Sequence, residues 1–322
     1  MNTQKLGSSS LNVTRIGLGT MAFGRWISEE DSDAILDHSL ESGINLIDTA
    51  DYYGPGQDEK PPYGDGSSET IIGNWFKKHP GARSKVILAS KVGSNTNPVM
   101  SNPTLSRQHI TQQIDASLER LQTDHLDLYQ AHLFDNNTPL AETLTTLSEL
   151  VDAGKIRYYG VSNYNEEQLT RALEIIKERR LNPMVSLQNR YNILSDHDDA
   201  DVLHLAQRSQ IGFLAYSPLA RGVLTGKYLN GAMPADSRAA HGEPLLIKEY
   251  FNDEDSKRVT KFKKIADDAG ISMTQLAFAG VLAIPGITTA LLGASKVSYI
   301  DDAVHAAELN LPQAVLSQLK SL

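Results

Sequence analysis

The chain contains no cysteine, which excludes a disulfide framework, a thiol nucleophile and a cysteine-ligated metal. No apolar run is long enough to span a bilayer, and Met1 to Ser10 lack the apolar core of a signal peptide. Positive charge is in deficit as well. Lysine and arginine number 30 against 39 acids, a formal net charge of −9, which argues against a nucleic-acid partner or an anionic membrane surface. These absences lead us to expect a cytoplasmic protein. The sequons Asn12-Val13-Thr14 and Asn136-Asn137-Thr138 then read as accidental. What is present is ordinary globular material: 322 residues, 40% hydrophobic and 21% charged, ample for a core. That length exceeds the usual single-core range, but α/β barrels routinely reach it as one domain, so one domain over 1–322 is expected.

Three strand-like runs end in a titratable side chain. Ile44 to Ile47 is short, branched and closed by Asp48, with Tyr53 just beyond it; Val86 to Ser90 ends at Lys91; Leu126 to Ala131 ends at His132. An Asp after a strand is ordinarily a turn or cap residue, and a single histidine is ordinarily structural. In a parallel sheet, however, all strand C-termini share one face, so Asp48, Lys91 and His132 can converge. With Tyr53 they make an acid-base set. A phenol ionises near pH ~10, and a nearby ammonium lowers that value. A carboxylate beside the lysine keeps the lysine charged and aimed.

Strands alternate with helical periodicity along most of the chain. Ile110, Ile114, Leu118 and Leu121 recur at helical spacing before Leu126; Leu140, Leu144, Leu147 and Val151 before Ile156; Leu169, Leu173 and Ile176 before Met184; Val202, Leu205 and Ala206 before Phe213. Strands are expected near 15–18, 44–48, 86–91, 126–130, 156–161, 185–188, 212–216 and 289–292. Eight strands with intervening helices predict a closed (β/α)8 barrel, for which roughly 250 residues is typical; an open doubly wound sheet is the alternative. Lys5 to Leu6 and Leu11 to Thr14 predict a small hairpin ahead of it. Long stretches of turn composition at Gly54 to Ser67, Gly93 to Pro103 and Ala220 to Asp255 all follow strands, which places them on the face where the titratable residues meet.

Gly17-Leu18-Gly19-Thr20-Met21-Ala22 satisfies the loose dinucleotide fingerprint but continues Phe23-Gly24-Arg25-Trp26 without opening a helix, so that reading fails. Gly222-Val223-Leu224-Thr225-Gly226-Lys227-Tyr228 is one residue too short between its glycines for a P-loop and has Tyr where Ser or Thr should bind magnesium. Ser195-Asp196-His197-Asp198-Asp199 is better read as a helix start than as a metal site, because no second histidine-containing group has matching spacing. We expect no metal.

The chain resembles the aldo-keto reductases, in the branch of microbial reductases that includes potassium-channel β-subunits. The resemblance rests on Gly17-Leu18-Gly19-Thr20, Asp48-Thr49-Ala50 with Tyr53-Gly54, Gly66-Ser67-Ser68-Glu69, Lys91, His132, Gly160-Val161-Ser162-Asn163, Gln188 with Tyr191-Asn192, and Tyr216-Ser217-Pro218-Leu219. It implies a barrel plugged by the hairpin, bound NADP(H), and reduction of small aldehydes or ketones to alcohols. In that reading Tyr53 donates a proton, Lys91 depresses the Tyr53 pKa, Asp48 pairs with Lys91 and His132 orients the carbonyl. Gly19, Thr20 and Met21, with Asp48, lie under the nicotinamide, and Ser162, Asn163 and Gln188 bind its carboxamide. Tyr216 stacks on the ring, and Trp26 is a candidate wall of the substrate pocket, about as readily an exposed aromatic of no role. Ser217, Pro218, Leu219, Arg221, Lys227 and Arg238 line the pyrophosphate side. Gly293, Ser295, Lys296, Tyr299 and Asp302, between the last strand and its helix, face the 2′-phosphate end, where barrels commonly bind phosphate. Here the chain departs from the family, with Ser295 where many members carry Arg, Ala303 for Asn, and Tyr299 and Asp302 for Gln and Glu. The strength of NADP over NAD preference is therefore left open. The last segment, Leu311 to Leu322, reads as a terminal helix without the long tail that closes over substrate in some members, implying an open pocket. Two rivals accompany the reductase: an NADP-binding redox sensor or regulatory subunit with slow turnover, and a metal-dependent barrel hydrolase, which lacks a histidine cluster on strand ends.

Overall fold

In the computed structural model the residues described are 1–55, 65–94, 104–195, 200–234, 237, 239–240, 246 and 250–322. Thr3–Lys5 (β1) and Asn12–Thr14 (β2) pair antiparallel as the expected hairpin. Eight parallel strands follow: Ile16–Gly19 (β3), Leu46–Asp48 (β4), Ile87–Val92 (β5), Leu126–Ala131 (β6), Ile156–Ser162 (β7), Met184–Arg190 (β8), Gly212–Tyr216 (β9) and Ile287–Gly293 (β10). β10 pairs with both β9 and β3, so the sheet closes into a barrel and the open doubly wound alternative is excluded. The expected strands are all found, with ends displaced by only a residue or two.

Among the described residues the α-helices are Glu29–Glu41 (α1), Ser67–Lys78 (α2), Arg107–Leu121 (α3), Leu140–Asp152 (α4), Glu166–Arg179 (α5), Ala200–Arg208 (α6), Asp253–Ala269 (α7), Met273–Leu282 (α8), Ser298–Glu308 (α9) and Gln313–Leu319 (α10). Their starts obey local chemistry. Ser28, Ser106 and Asn252 cap α1, α3 and α7 through side-chain oxygens, and Asn165 with Gln168 and Ser272 with Gln275 close reciprocal capping boxes on α5 and α8. α6 begins at Ala200; the Asp196-His197-Asp198-Asp199 segment before it lies outside the described residues. Among the described residues no helix is long and apolar enough to cross a membrane.

The core is double. The larger part packs the outer face of the strands against the helices, with Ile110, Ile114, Leu144, Leu147 and Leu169 all buried. The smaller part fills the lower barrel: Leu46, Ala89, Leu128, Val185, Leu214 and Leu291 meet Leu6, Leu11 and Val13 of the hairpin, which stoppers that end. Tyr158 reaches the hairpin turn, where its hydroxyl accepts from the Ser10 N–H at 3.1 Å. Because side chains alternate with period two, the strand positions above that apolar layer also point inward. Leu46 is followed by Asp48, Ala89 by Lys91, Leu128 by Gln130, and Leu214 by Tyr216. The barrel is apolar at one end and polar at the other.

Outward-facing Asp127 ties β6 to its neighbours. It accepts the Leu88 N–H at 2.9 Å, Arg83 at 2.9 Å and Arg157 at 3.0 Å, with its side chain 3% exposed. Asp127→Ala strands the buried Leu88 N–H and removes the carboxylate that half-buried Arg83 and exposed Arg157 share, so we expect a loss of roughly 2 kcal/mol, measured as a lower urea midpoint at unchanged m-value, with Asp127→Asn losing less. A midpoint equal to wild type would show the network to be dispensable.

Candidate active site

Lys91 is fully buried, and its ammonium has three protons to place. All three are placed: Nζ donates to Asp48 Oδ2 at 2.6 Å, to the Thr49 carbonyl at 2.7 Å and to the Tyr53 hydroxyl oxygen at 3.2 Å. The ammonium also lies 4.7 Å from the centre of the Tyr53 ring. Since an ammonium only donates, the phenol oxygen accepts from it, and the phenol's own proton is directed elsewhere. Asp48 is held on its other oxygen by Gln188 Nε2 at 2.9 Å and Gln130 Nε2 at 3.3 Å. His132 follows β6; its N–H donates to the Val92 carbonyl at 2.8 Å and its ring stands edge-on to Tyr53, centroids 5.8 Å apart. Strand-end geometry thus brings Asp48, Tyr53, Lys91 and His132 together, as expected.

Burial sets the charge states. It pulls the Lys91 ammonium down, but Asp48 and Tyr53 outweigh it and leave the lysine above its ordinary value. Burial pushes the Tyr53 phenol up; Lys91 pulls it down, Asp48 pushes it up again, and the net is a phenol above its usual pKa. The depression expected from Lys91 is present, but desolvation exceeds it. His132 is driven well below the ordinary imidazole range, by burial and then by Lys91, so it is neutral at pH 7. Its Nδ1 is buried with no hydrogen-bond partner among the described residues.

The side chains expected near a nicotinamide form a second, connected set. Ser162 donates through Oγ to the Gln188 carbonyl at 2.7 Å. Asn163 Nδ2 donates to the His132 carbonyl at 2.9 Å, and its Oδ1 accepts the Tyr216 hydroxyl at 2.7 Å. Gly19 and Met21 are half-buried, whereas Thr20 is fully buried and donates its hydroxyl to the Asp48 carbonyl at 3.1 Å. Ser217, Ala220, Arg221 and Gly222 after β9 all have positive φ, between 47° and 98°, in a tight irregular turn that also contains Pro218 and Leu219. Lys227 folds back over Gly222, where a Cβ would lie 2.8 Å from its Cε. Such a turn with an arginine and a lysine suits an anionic group. Gly293 at the end of β10, Ser295 and Lys296 in the loop after it, and Tyr299 in the first turn of α9 are exposed, and Asp302, further along α9, accepts from Gln275 at 3.5 Å. Trp26 is half-buried under the Arg25 guanidinium, 4.2 Å from the ring centre. Arg238 lies outside the described residues. A groove of about 450 Å³ between the loop after β3 and the start of α2 is lined by Gly24, Ile27, Ser67 and Ile71 among others, and by none of the four clustered residues. Among the described residues no three His, Asp or Glu stand close enough together to hold a metal ion.

Three participants were not singled out from sequence: Gln130, Thr49 and Asp51. The first has a legible signal, since it falls between Leu128 and His132 on the inward-facing register of β6; a backbone carbonyl such as that of Thr49 has none. Asp51 keeps part of its surface, yet protein crowds its carboxyl. Burial, followed by the neighbouring Glu69, raises it to about 8, against the pull of Arg120, Lys91 and the Gly93 N–H.

A model of the aldo/keto reductase family matches residues 15–322. Over its whole length the chain is 36% identical to Protein tas of Escherichia coli, covering 97% of that protein. It is 31% identical to the L-glyceraldehyde 3-phosphate reductase of the same organism, over 95% of this chain and 87% of that one. It is 30% identical to a probable voltage-gated potassium channel subunit beta of Arabidopsis thaliana, over 96% and 92%.

Folded Asp51 binds a proton that the unfolded chain releases at its ordinary value, 3.8. Between that pH and about 8 the unfolded state therefore carries fewer protons, and stability declines as pH rises, by at most about 1.4 kcal/mol per pH unit. We expect Asp51→Asn to gain stability relative to wild type from pH 5 to pH 8, with no further gain above. Urea midpoints at pH 5, 7 and 9 check this, and a constant difference would rule it out.

Proposed function

The chain belongs to the aldo/keto reductase family, and on that premise we propose that this oxidoreductase uses NADP(H) to reduce small aldehydes or ketones to alcohols, with Tyr53 as the proton donor. The observation that carries the reading is the Lys91 ammonium bound at once to Asp48 and to the Tyr53 hydroxyl oxygen.

The residues fit the cofactor chemically. Amide and hydroxyl groups from Ser162, Asn163 and Gln188 suit a carboxamide, half-buried Tyr216 beside them offers an aromatic face, and Arg221, Lys227 and Lys296 on the β9 and β10 loops suit phosphates. When bound, the reduced nicotinamide supplies the hydride. The chain's own task is the proton. Tyr53 Oη accepts from Lys91, so its proton is available to a carbonyl oxygen in the cleft; as the proton leaves, the ammonium stabilises the phenolate that forms. Asp48 keeps Lys91 charged, while Gln130 and Gln188 keep Asp48 aimed. Neutral His132, edge-on to Tyr53, orients the same oxygen without adding charge. The raised Tyr53 pKa serves this direction, because a donor must be loaded at neutral pH.

A second reading follows from the likeness to a potassium channel β-subunit: a cofactor-holding regulatory protein with slow turnover. The same experiment separates the two. NADPH and NADH are titrated into the protein, and oxidation of bound cofactor by an aromatic aldehyde is followed in one turnover. We expect NADPH to bind, fast oxidation in wild type, and a loss of about 10² to 10⁴ in Tyr53→Phe. Tight binding without oxidation across a carbonyl panel would favour the regulatory reading, and failure to bind either nucleotide would overturn both.

The reductive rate should also be flat with pH between the charging of His132, shifted below 6.5, and the ionisation of Tyr53, shifted above 10. The one exception within that range is an inflection near pH 8 from the nearby Asp51 carboxyl, which Asp51→Asn should remove. Activity lost as pH falls through the ordinary imidazole range would mean that His132 charges in the working enzyme, contrary to its assigned role.

A further inference from the structure

The first turn of α2 lies outside the barrel wall, yet it grips the strand exits that carry the acid and its lysine. Ser68 donates through its N–H to the Tyr53 carbonyl at 3.1 Å. Its Oγ accepts from Thr49 at 3.0 Å and donates to Thr20 Oγ1 at 2.8 Å. The next residue, Glu69, is completely buried. One of its oxygens accepts Arg120 Nε at 2.8 Å and Nη2 at 2.7 Å; the other accepts the hydroxyl of Ser90. Arg120 can lie there because α2 is entered through Gly66 at φ +73°, where a Cβ would stand 2.4 Å from Nε. Ser90 and Lys91 are consecutive on β5, so alternation sends Lys91 inward and Ser90 outward to Glu69.

Ser68-Glu69 therefore spans both partners of one contact. It holds the Tyr53 backbone through one residue and the strand bearing Lys91 through the other. That contact, 3.2 Å, is the longest of the three made by the ammonium, and a shift of about 1 Å in such a group is enough to slow chemistry severely. We propose that Glu69 is a positioning residue for proton donation: clamped by Arg120, it holds Ser90 and the Tyr53 segment in one frame and so sets the separation of the Tyr53 phenol from the Lys91 ammonium. A carboxylate suits the position because it accepts from both sides at once, whereas an amide must present hydrogens to one of them. The inference rests on Tyr53 being the acid, as proposed above.

A residue that acts through Tyr53 has no effect once Tyr53 cannot donate; a residue that only supports the fold still has one. Single-turnover oxidation of NADPH by an aromatic aldehyde is measured for wild type, Ser90→Ala, Glu69→Gln, Tyr53→Phe and the two double variants. Ser90→Ala leaves the Glu69–Arg120 pair intact and so tests the idea even if Glu69→Gln folds poorly. We expect Ser90→Ala and Glu69→Gln each to slow oxidation by about 10- to 100-fold, with NADPH affinity unchanged and no further slowing of the residual Tyr53→Phe rate. Equal slowing in the wild-type and Tyr53→Phe backgrounds, or unaltered rates in Ser90→Ala and Glu69→Gln, would overturn the role of Glu69 alone. Oxidation that does not depend on Tyr53 in wild type would overturn the reading of the site, and this inference with it.

Discussion

A lysine ammonium without exposure to water is the constraint around which the polar end of the barrel is built. Desolvating such a cation costs several kcal/mol unless a counter-charge and a full set of acceptors meet it. Lys91 finds three acceptors on three groups: the Asp48 carboxylate, the Thr49 carbonyl and the Tyr53 hydroxyl. Asp48 is in turn satisfied by amides from β6 and β8. One ammonium thereby links β4, β5, β6 and β8 through a single polar network at the open end of the barrel.

The same desolvation explains why the neighbours are neutral. A low-dielectric site that already holds one ion pair resists further charge, so the Tyr53 phenol keeps its proton and the His132 imidazole stays uncharged. Lys91 acts on both, lowering each, but for the phenol burial is the larger force. In the proposed reaction, a charge forming on Tyr53 Oη as its proton departs would meet an ammonium already in place. The lysine then costs nothing to reorganise at the moment when it matters.

The barrel was legible because its signals are repetitive. Eight apolar runs separated by helical periodicity leave little room for another topology, and the titratable ends of Ile44 to Asp48, Val86 to Lys91 and Leu126 to His132 mark the face on which they meet. The four clustered residues were legible for the same reason. What was not legible depends on quantities a sequence does not carry. The net direction of the Tyr53 shift requires knowing how dry the site is. The bond from Lys91 to the Thr49 carbonyl uses a group every residue has, and the carboxyl of Asp51 is raised by burial and then by Glu69 on α2, neither of which the local sequence shows. Gln130 was legible as an inward-facing residue between Leu128 and His132, but the register does not name its partner, Asp48.

Asp48 and Asp127 show how one residue type is put to opposite uses by strand direction and face. Asp127 sits near the start of β6 and faces outward, where Arg83, Arg157 and a strand amide absorb its charge. That arrangement lies on the outside of the barrel, away from the strand ends, and its effect is to bind strands. Asp48 ends β4 and faces inward, opposed by one lysine and two neutral amides. The lysine is therefore only partly engaged by it and has bonds left for Thr49 and Tyr53. In a parallel barrel the strand starts are closed, here by the hairpin and its apolar layer, while the strand ends open into loops that differ in length without disturbing the closed end. Asp48 is free to serve the proposed proton-donating site because the barrel is held shut elsewhere, by the lower core and by residues such as Asp127.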